Sequence, residues 1–338
     1  MTKEQKIMPY DKRFYEQAES EIKRRRLNAE SALNARIREA EQLIPEISEI
    51  RTQLSQTSIE LSKLIIRRER NFRENFDKIR EQNLQGQQMI KKLLQSKGLP
   101  EDYLEPAYYC RSCSDTGIYD GKRCECFTRL LNRLAVDALN SEANMPECDF
   151  EHFSLSYYDG TTDPTGLNCR RKMEENLIFC KEYASSFSRN SASLFFLGKT
   201  GVGKTHISLS IAKRVTELGF TVAYGSLINY MRIIEKEHFG RAESSETDTL
   251  QTLISADLLI LDDLGSEFRT GFTESALYNI INSRINLGIP TIISSNLSAE
   301  ELQKTYNDRI ISRIFGVFTT LMFVGEDVRA IKRLKGEI

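Results

Sequence analysis

The chain has 338 residues, of which 28% are charged and 40% are hydrophobic, and its formal net charge is −1. This length suggests two or three domains, and this composition is typical of a globular protein that can bury a core. No run reaches about 18 uninterrupted apolar residues, so no membrane-spanning helix is expected. The N-terminal stretch MTKEQKIMPYDKRF lacks the apolar core of a signal peptide. Seven cysteines without an export signal predict a reducing, cytoplasmic location.

Residues 1–98 are predicted to form a helical region. The segment holds 21 Lys or Arg and 15 Asp or Glu, so it is basic, whereas the remainder of the chain is acidic. Apolar residues recur at close to 3-4 spacing across 37–65, and Pro45 is placed to start a second helix, since its missing N–H costs nothing there. Two or three antiparallel helices are favoured over a long dimeric coiled coil, because Arg51 and Ser58 interrupt the stripe. The basic face is either an ordinary solvated surface or a surface that binds a partner.

Residues 99–127 differ in character, because turn formers and cysteines replace the helical pattern. Four cysteines follow the spacing C-x2-C-x10-C-x-C, and two turns that carry paired cysteines can close a tetrahedral Zn²⁺ site. The segment has little to form an apolar core, so a bound metal could supply its folding free energy. Such a closed site is structural, and the alternative is that the cysteines are free or redox-active. The predicted zinc ligands are Cys110, Cys113, Cys124 and Cys126.

A helical linker is predicted over 128–148, and an α/β domain over 149–338. In the latter, β-rich runs such as LFFL, TVAYGS, LLIL and TIISS alternate with helical patterns. This alternation predicts a parallel sheet with helices on both faces, and a continuous apolar run such as LLIL fits a strand buried on both faces. The polar stretch 241–249 is predicted to be a loop.

The sequence GKTGVGKT matches the phosphate-loop pattern GxxxxGK[ST] and lies between a predicted strand and a predicted helix. Its glycines let backbone N–H groups surround phosphate oxygens, and the start of the helix adds partial positive charge. Lys204 would reach the β- and γ-phosphates of ATP, and Thr205 would ligate Mg²⁺. The predicted ATP-binding residues are Gly198, Lys199, Thr200, Gly201, Val202, Gly203, Lys204 and Thr205.

Polar side chains follow two further predicted strands. In LLILDDLG, Asp262 would hold Mg²⁺ through water and Asp263 would orient or deprotonate the attacking water, since open α/β sheets bind ligands where their strands end. In TIISSN, Asn296 either positions a water near the γ-phosphate or caps a helix over Leu297–Glu301.

Three arginines in the C-terminal region are candidates for a role in ATP hydrolysis. Arg309 and Arg313 lie four residues apart on one helical face, and an arginine delivered to a neighbouring subunit stabilises the charge of the transition state. Arg329 is a candidate for a second arginine sensor. For each of them the alternative is a plain surface arginine.

The order of phosphate loop, double acid, strand with asparagine and SRI is similar to that of AAA+ ATPases. The chain resembles the bacterial helicase-loader and transposition-helper family (DnaC-, DnaI- and IstB-like proteins). The likeness covers roughly residues 145–338 and rests on FEHFSLSYYD at 150–159, on the phosphate loop, and on LLILDDLGSE at 258–267. Phe150 and Phe153 fall where this family has an FxxF segment beside the nucleotide.

The resemblance implies that Asn296 is sensor 1, that Arg313 is the arginine finger with Arg309 beside it, and that Arg329 is sensor 2. It also implies an ATP-dependent loader that contacts single-stranded DNA and associates with itself, and whose N-terminal region docks on the hexameric replicative DNA helicase. Two other functions stay open. One is a transposition helper that binds double-stranded DNA and activates a transposase. The other is a chaperone-like adaptor in which ATP gates a protein interface.

Overall fold

A computed structural model describes residues 10, 12–67, 72–142, 148–160, 166, 168–239 and 249–337. The helical unit comprises Glu19–Phe127, and the sheet unit comprises the described parts of Met1–Ala18 and Thr128–Ile338. Helices α1 (Lys12–Leu43) and α4 (Glu125–Glu142) each contribute residues to both units. Within these ranges, no helix has the length and apolar character needed to cross a membrane.

The helical unit contains α1, α2 (Pro45–Arg67), α3 (Phe72–Ser96) and a hairpin of β1 (Ile118–Tyr119) and β2 (Lys122–Arg123). Helix α2 begins at Pro45, as the sequence predicts. Helices α2 and α3 are antiparallel: the Thr57 hydroxyl donates to Asn83 Oδ1 at 2.6 Å, whereas a Cβ atom at Gly86 would lie 3.0 Å from the earlier residue Leu54. Glycine at this position therefore lets the two helices approach closely.

The predicted apolar stripe forms a core in the helical unit. Ala40, Ile44 and Ile47 are buried against Leu94 of α3. The side chains of Ser58 and of the last two stripe residues, Leu61 and Ile65, lie outside the described residues.

The sheet unit is built on five parallel strands in the spatial order β4-β5-β6-β3-β7. Adjacent residues of one strand are buried on opposite faces, since Phe195 and Leu197 belong to one apolar core while Leu194 and Phe196 belong to the other. The predicted sheet with both faces covered is therefore confirmed. The strands are β3 (Leu194–Leu197), β4 (Val222–Ser226), β5 (Leu258–Leu264), β6 (Thr291–Ser295) and β7 (Thr319–Met322).

Helices cover the sheet, and one strand was missed from sequence. The edge strand β7 exposes both threonines of TTLM, so it lacks the continuous apolar run that marks the other four strands. The predicted loop 241–249 lies outside the described residues except for Thr249, which begins a helix. The helices are α5 (Cys169–Ser185), α6 (Lys204–Glu217), α7 (Leu227–Phe239), α8 (Thr249–Ser255), α9 (Gly271–Leu287), α10 (Ala299–Thr305), α11 (Asp308–Val317) and α12 (Val328–Lys335).

The sheet topology brings the predicted site residues to one edge. Strands β5, β6 and β3 are neighbours and parallel, so their carboxyl ends meet at the same edge of the sheet. The double acid ends β5, Asn296 follows β6, and the phosphate loop follows β3. Segments nearly a hundred residues apart in sequence therefore converge.

Candidate nucleotide and metal sites

The phosphate loop joins β3 to α6, and its glycines are required by geometry. Gly201 and Gly203 have φ angles of +80° and +90°, which side chains disfavour. At Gly198 a Cβ atom would lie 2.2 Å from the carbonyl oxygen of Phe323. Helix α6 begins at Lys204 with Gly203 as N-cap and no side-chain capping bond, so its first N–H groups are left for a ligand.

The Lys204 side chain lies buried within this loop. Its Nζ donates to the carbonyl oxygens of Gly198 and Lys199, both at 2.7 Å, and to Asn296 Oδ1. Burial lowers the pKa of Lys204 to about 8. An ammonium in such a position gains from an incoming anion, because the anion restores the electrostatic stabilisation that burial removes.

Asp262 is buried at the end of β5 and accepts hydrogen bonds from three hydroxyl groups. Thr205 Oγ1 and Tyr224 Oη donate to its Oδ2 at 2.9 and 3.1 Å, and Ser294 Oγ donates to its Oδ1. The Thr205 hydroxyl and the Asp262 carboxylate thus lie together, and both are oxygen ligands of the kind that Mg²⁺ prefers.

Asp263 is turned out of the strand. Its φ angle is +57°, in the left-handed region that residues with a Cβ atom rarely adopt. Its Oδ1 accepts a hydrogen bond from Asn296 Nδ2 at 3.0 Å. Burial and the neighbouring charge of Asp262 raise the pKa of Asp263, as suits a group that must take up a proton.

Asn296 connects the two sides of the site. Its amide oxygen accepts from Lys204 and its amide nitrogen donates to Asp263. The alternative that Asn296 caps the following helix is wrong, because Ser298 is the N-cap of α10 and forms a capping box with Glu301. The side chain of Asn296 is therefore available to the cavity.

A cavity of about 220 Å³ lies beside these groups, and Asp262 is not among the described residues that line it. Its walls include Lys204, Thr205, Asp263 and Asn296, and helix α12 contributes Arg329. Eight predicted site residues therefore line the cavity, seven at the sheet edge and one from the C-terminal helix: Thr200, Gly201, Gly203, Lys204, Thr205, Asp263, Asn296 and Arg329.

Arg309 and Arg313 of α11 are not among the described residues that line this cavity. Arg309 is exposed. Arg313 Nη2 donates to the Tyr278 hydroxyl at 3.0 Å, and its Nε is buried without a hydrogen-bond partner in the described part of the chain. Neither arginine serves the cavity of its own chain in this structure.

Phe153 of the FxxF segment and Tyr158 form an aromatic wall of the cavity. Phe153 stacks on Tyr158 with ring centroids 5.7 Å apart, and the Tyr158 hydroxyl donates to the Val202 carbonyl oxygen at 3.1 Å. Phe150 packs against the core instead of lining the cavity. Sequence reasoning missed Tyr158; its position in SYYD just after the FxxF segment was the available signal.

Comparison with known proteins finds one matching family model and several similar bacterial proteins. The sequence model of the family described as IstB-like ATP binding protein matches residues 171–316. The replicative helicase loader DnaC of Escherichia coli (strain K12) is 25% identical over 186 residues, which are 55% of this chain and 68% of that protein. The protein of the same name from Buchnera aphidicola subsp. Baizongia pistaciae (strain Bp) is 29% identical over 138 residues, 41% of this chain and 56% of that protein.

The chain is therefore similar to IstB-like ATP binding proteins over residues 171–316, and it is similar to DnaC helicase loaders. Among solved structures, the crystal structure of the DnaC helicase loader is similar with a TM-score of 0.42 and 21% identity, covering 52% of this chain and 98% of that one. The matched family is described as ATP-binding, and its segment contains the phosphate loop that borders this cavity.

The affinity of the sheet unit for ATP is expected to fall as the pH rises through about 8. Because burial lowers the pKa of Lys204 to about 8, the side chain is neutral in most unliganded molecules above that pH. The triphosphate favours the charged form, so binding must then take up a proton, which weakens affinity by up to about tenfold per pH unit. The dissociation constant of a fluorescent ATP analogue, measured between pH 6.5 and 9.5, checks this prediction.

The control for this prediction is Lys204→Arg, whose guanidinium stays charged at pH 9.5. Its affinity is expected to be lower overall but to lose the decline above pH 8. A wild-type dissociation constant that does not change up to pH 9.5 would contradict the prediction.

The four predicted zinc ligands converge in the helical unit. The Sγ atoms of Cys110, Cys113, Cys124 and Cys126 all lie within 4.8 Å of one another. The pair Cys113–Cys126 is 3.5 Å apart and the pair Cys110–Cys124 is 3.8 Å apart, too far for disulfide bonds. Four sulfurs at about 2.3 Å from a tetrahedral Zn²⁺ would be about 3.8 Å apart, so this cluster fits the ion.

The turns around the cysteines are held by one buried carboxylate. Asp115 accepts hydrogen bonds from the backbone N–H groups of Tyr109 and Cys110, at 2.8 and 2.9 Å. The turn after the first cysteine pair contains two left-handed residues, Ser114 and Asp115, with φ angles of 50° and 52°. This turn brings the first pair of cysteines toward the second pair, which the hairpin β1–β2 and the start of α4 carry.

Proposed function

We propose that this chain binds and hydrolyses ATP and loads the replicative DNA helicase onto single-stranded DNA. The observation that carries the proposal is the likeness to bacterial proteins named replicative helicase loader DnaC. The family match at 171–316 supports it, since that segment contains the phosphate loop, both acids and Asn296.

In this proposal, each site residue of one chain has its own role in binding or hydrolysing ATP. The N–H groups of Gly198–Thr205 and the Lys204 ammonium bind the triphosphate, and Thr205 and Asp262 hold Mg²⁺. Mg²⁺ held there would supply positive charge that offsets the negative charge of the triphosphate. Asp263 takes the proton of the attacking water, which Asn296 orients from the neighbouring strand.

The arginines divide into two sets by their position. Arg329 lines the ATP site of its own chain, which supports a contact with the γ-phosphate in cis. Arg313, with Arg309 beside it, is proposed to reach the ATP site of a neighbouring subunit. This arrangement requires the chain to associate with itself through its AAA+ surfaces.

The two units are proposed to have different tasks. Residues 1–98 would bind the helicase, and residues 99–127 would form a structural zinc module. Residues 128–148 would be a linker, and residues 149–338 would be the ATPase that controls helicase binding. Helix α3 supports this assignment, because Leu84 and Met89 are 49% and 53% exposed.

The proposal predicts a complex between this protein and the replicative helicase of its host. The full-length chain, mixed with that hexamer and weighed by native mass spectrometry with ATP and with ADP, should give a complex. The double substitution Leu84→Ser and Met89→Ser removes apolar contact area from α3 and should weaken the complex by about tenfold or more. Leu287→Ser on α9 is the matched control, since Leu287 is 59% exposed on the sheet unit.

The absence of a complex with either nucleotide would reject the loader proposal. If the α3 double variant forms the complex as well as the wild type does, the helicase-binding surface lies elsewhere than on this helix.

A second candidate is the transposition helper, which the IstB-like match at 171–316 favours. In that case the protein would bind double-stranded DNA in an ATP-dependent filament and activate a transposase. Electron microscopy of the protein with duplex DNA and ATP discriminates between the two: filaments without helicase binding would favour the helper.

A further inference from the structure

The pairing of β5 with β6 is interrupted at the two acids. The strands are in register from Leu259 opposite Thr291 to Leu261 opposite Ile293, and the register is shifted when pairing resumes at Leu264 opposite Ser295. The interruption contains Asp262 and Asp263. A break of this kind at the end of a strand re-aims side chains, and here it accompanies the left-handed φ angle of Asp263.

The Ser294 hydroxyl occupies the gap that the register shift leaves. It accepts a hydrogen bond from the backbone N–H of Asp263 at 3.0 Å and donates its own proton to Asp262 Oδ1. A hydroxyl has one proton to donate and lone pairs to accept with, so both bonds form together. Ser294 is fully buried, and this single side chain therefore connects the backbone of one acid to the carboxylate of the other.

We propose that Ser294 is a positioning residue for ATP hydrolysis, which holds Asp263 in the left-handed conformation that points its carboxylate at Asn296. The inference rests on the proposed ATPase activity. A residue with a Cβ atom keeps a left-handed backbone only where its surroundings enforce it. Without the Ser294 oxygen, the Asp263 N–H loses its acceptor and the carboxylate leaves the position beside Asn296.

Ser295 provides a matched control on the same strand. It is also fully buried, its hydroxyl donates to the Leu264 carbonyl oxygen at 2.7 Å, and it accepts from the Leu297 N–H at 3.2 Å. Ser294→Ala and Ser295→Ala therefore remove the same atom and two hydrogen bonds each. Only the first removes bonds to the acids.

The test compares steady-state ATP hydrolysis by full-length wild type, Ser294→Ala and Ser295→Ala. We expect Ser294→Ala to lower kcat by about 30-fold, since a misplacement of about 1 Å costs on the order of 100-fold. KM and the dissociation constant of a non-hydrolysable ATP analogue should stay within about threefold, because the phosphate loop is unchanged. Ser295→Ala should keep kcat within about threefold; equal losses in the two variants would overturn the proposal.

A double-mutant cycle shows whether Ser294 acts through Asp263. In the background of Asp263→Asn, Ser294→Ala should cause no further loss of kcat, because the group it positions has already been disabled. Independent, multiplicative losses would overturn the assignment.

An activity-independent measurement separates this inference from the proposed function. Hydrogen exchange at the Asp263 amide, measured without nucleotide, should accelerate about tenfold or more in Ser294→Ala but not in Ser295→Ala. If the wild type hydrolyses no ATP, the proposed activity fails, while this exchange rate still decides whether Ser294 holds the Asp263 backbone. Unchanged exchange in Ser294→Ala would overturn the inference.

Discussion

Lys204→Ala is expected to weaken the affinity for ATP by about 100-fold or more and to abolish measurable hydrolysis. The reason is the position of the side chain: its Nζ lies inside the phosphate loop, 2.7 Å from the carbonyl oxygens of Gly198 and Lys199. Alanine leaves the phosphate with backbone N–H groups alone and removes a charge-assisted hydrogen bond from a buried site. Isothermal titration with ATP and a steady-state phosphate-release assay measure the two effects.

The fold of this variant is expected to survive, because it removes a buried charge whose pKa is already lowered by burial. The melting temperature should stay within about 4 °C of the wild type. Lys181→Ala removes an exposed lysine of α5 and should leave both affinity and turnover unchanged. Wild-type turnover in Lys204→Ala would refute the assignment of the ATP site.

Cys124→Ser is expected to release zinc and to unfold the segment 99–127. The wild type should carry one Zn²⁺ per chain, since four Sγ atoms within 4.8 Å of one another form one closed site. The segment has little to form an apolar core, so the metal would supply folding free energy that a serine oxygen cannot replace. Elemental analysis of the purified protein measures the metal. Limited trypsin digestion at the exposed residues Arg111, Lys122 and Arg123 measures the unfolding.

Cys148→Ser is the control for this prediction, because Cys148 lies outside the cluster and should leave the zinc content at one per chain. A strong chelator should make the wild type as sensitive to trypsin as Cys124→Ser. A protein purified without zinc but resistant to trypsin in this segment would contradict the prediction and would favour free or redox-active cysteines.

The proposed ATP site shows which parts of a site can be predicted from sequence. The phosphate loop and the double acid were predictable because each is a local string whose residues act where they stand in the chain. Tyr224 and Ser294 were not predicted, although both bind Asp262. A tyrosine in VAYGS and a serine in TIISS are ordinary strand residues, and their hydroxyls gain a role only from the strands that lie beside them.

Arg284 is a second residue whose partners could not be predicted from sequence. In the string INSRINLG it reads as an exposed helical arginine, yet it is fully buried and its Nη1 donates to the carbonyl oxygens of Leu253, Ile254 and Ala256. These carbonyls lie at the end of α8, where a helix leaves acceptors unpaired. The packing of α8 against α9 is part of the tertiary structure, so no local sequence pattern predicts which carbonyl oxygens this guanidinium binds.

The sequence by itself determined the alternation of strands and helices, the phosphate loop, the acids that follow LLIL, the helix start at Pro45 and the spacing of the four cysteines. Each of these depends on hydrophobic period, turn chemistry or residue spacing over a few residues. The tertiary structure alone decided that Asn296 contacts both Lys204 and Asp263 instead of capping α10. It also decided that Arg329 lines the cavity at the phosphate loop while Arg313 contacts Tyr278, and that Ser294 connects the two acids. The physical reason is that side-chain partners across parallel strands are set by sheet order and register, which bring together residues from distant parts of the chain.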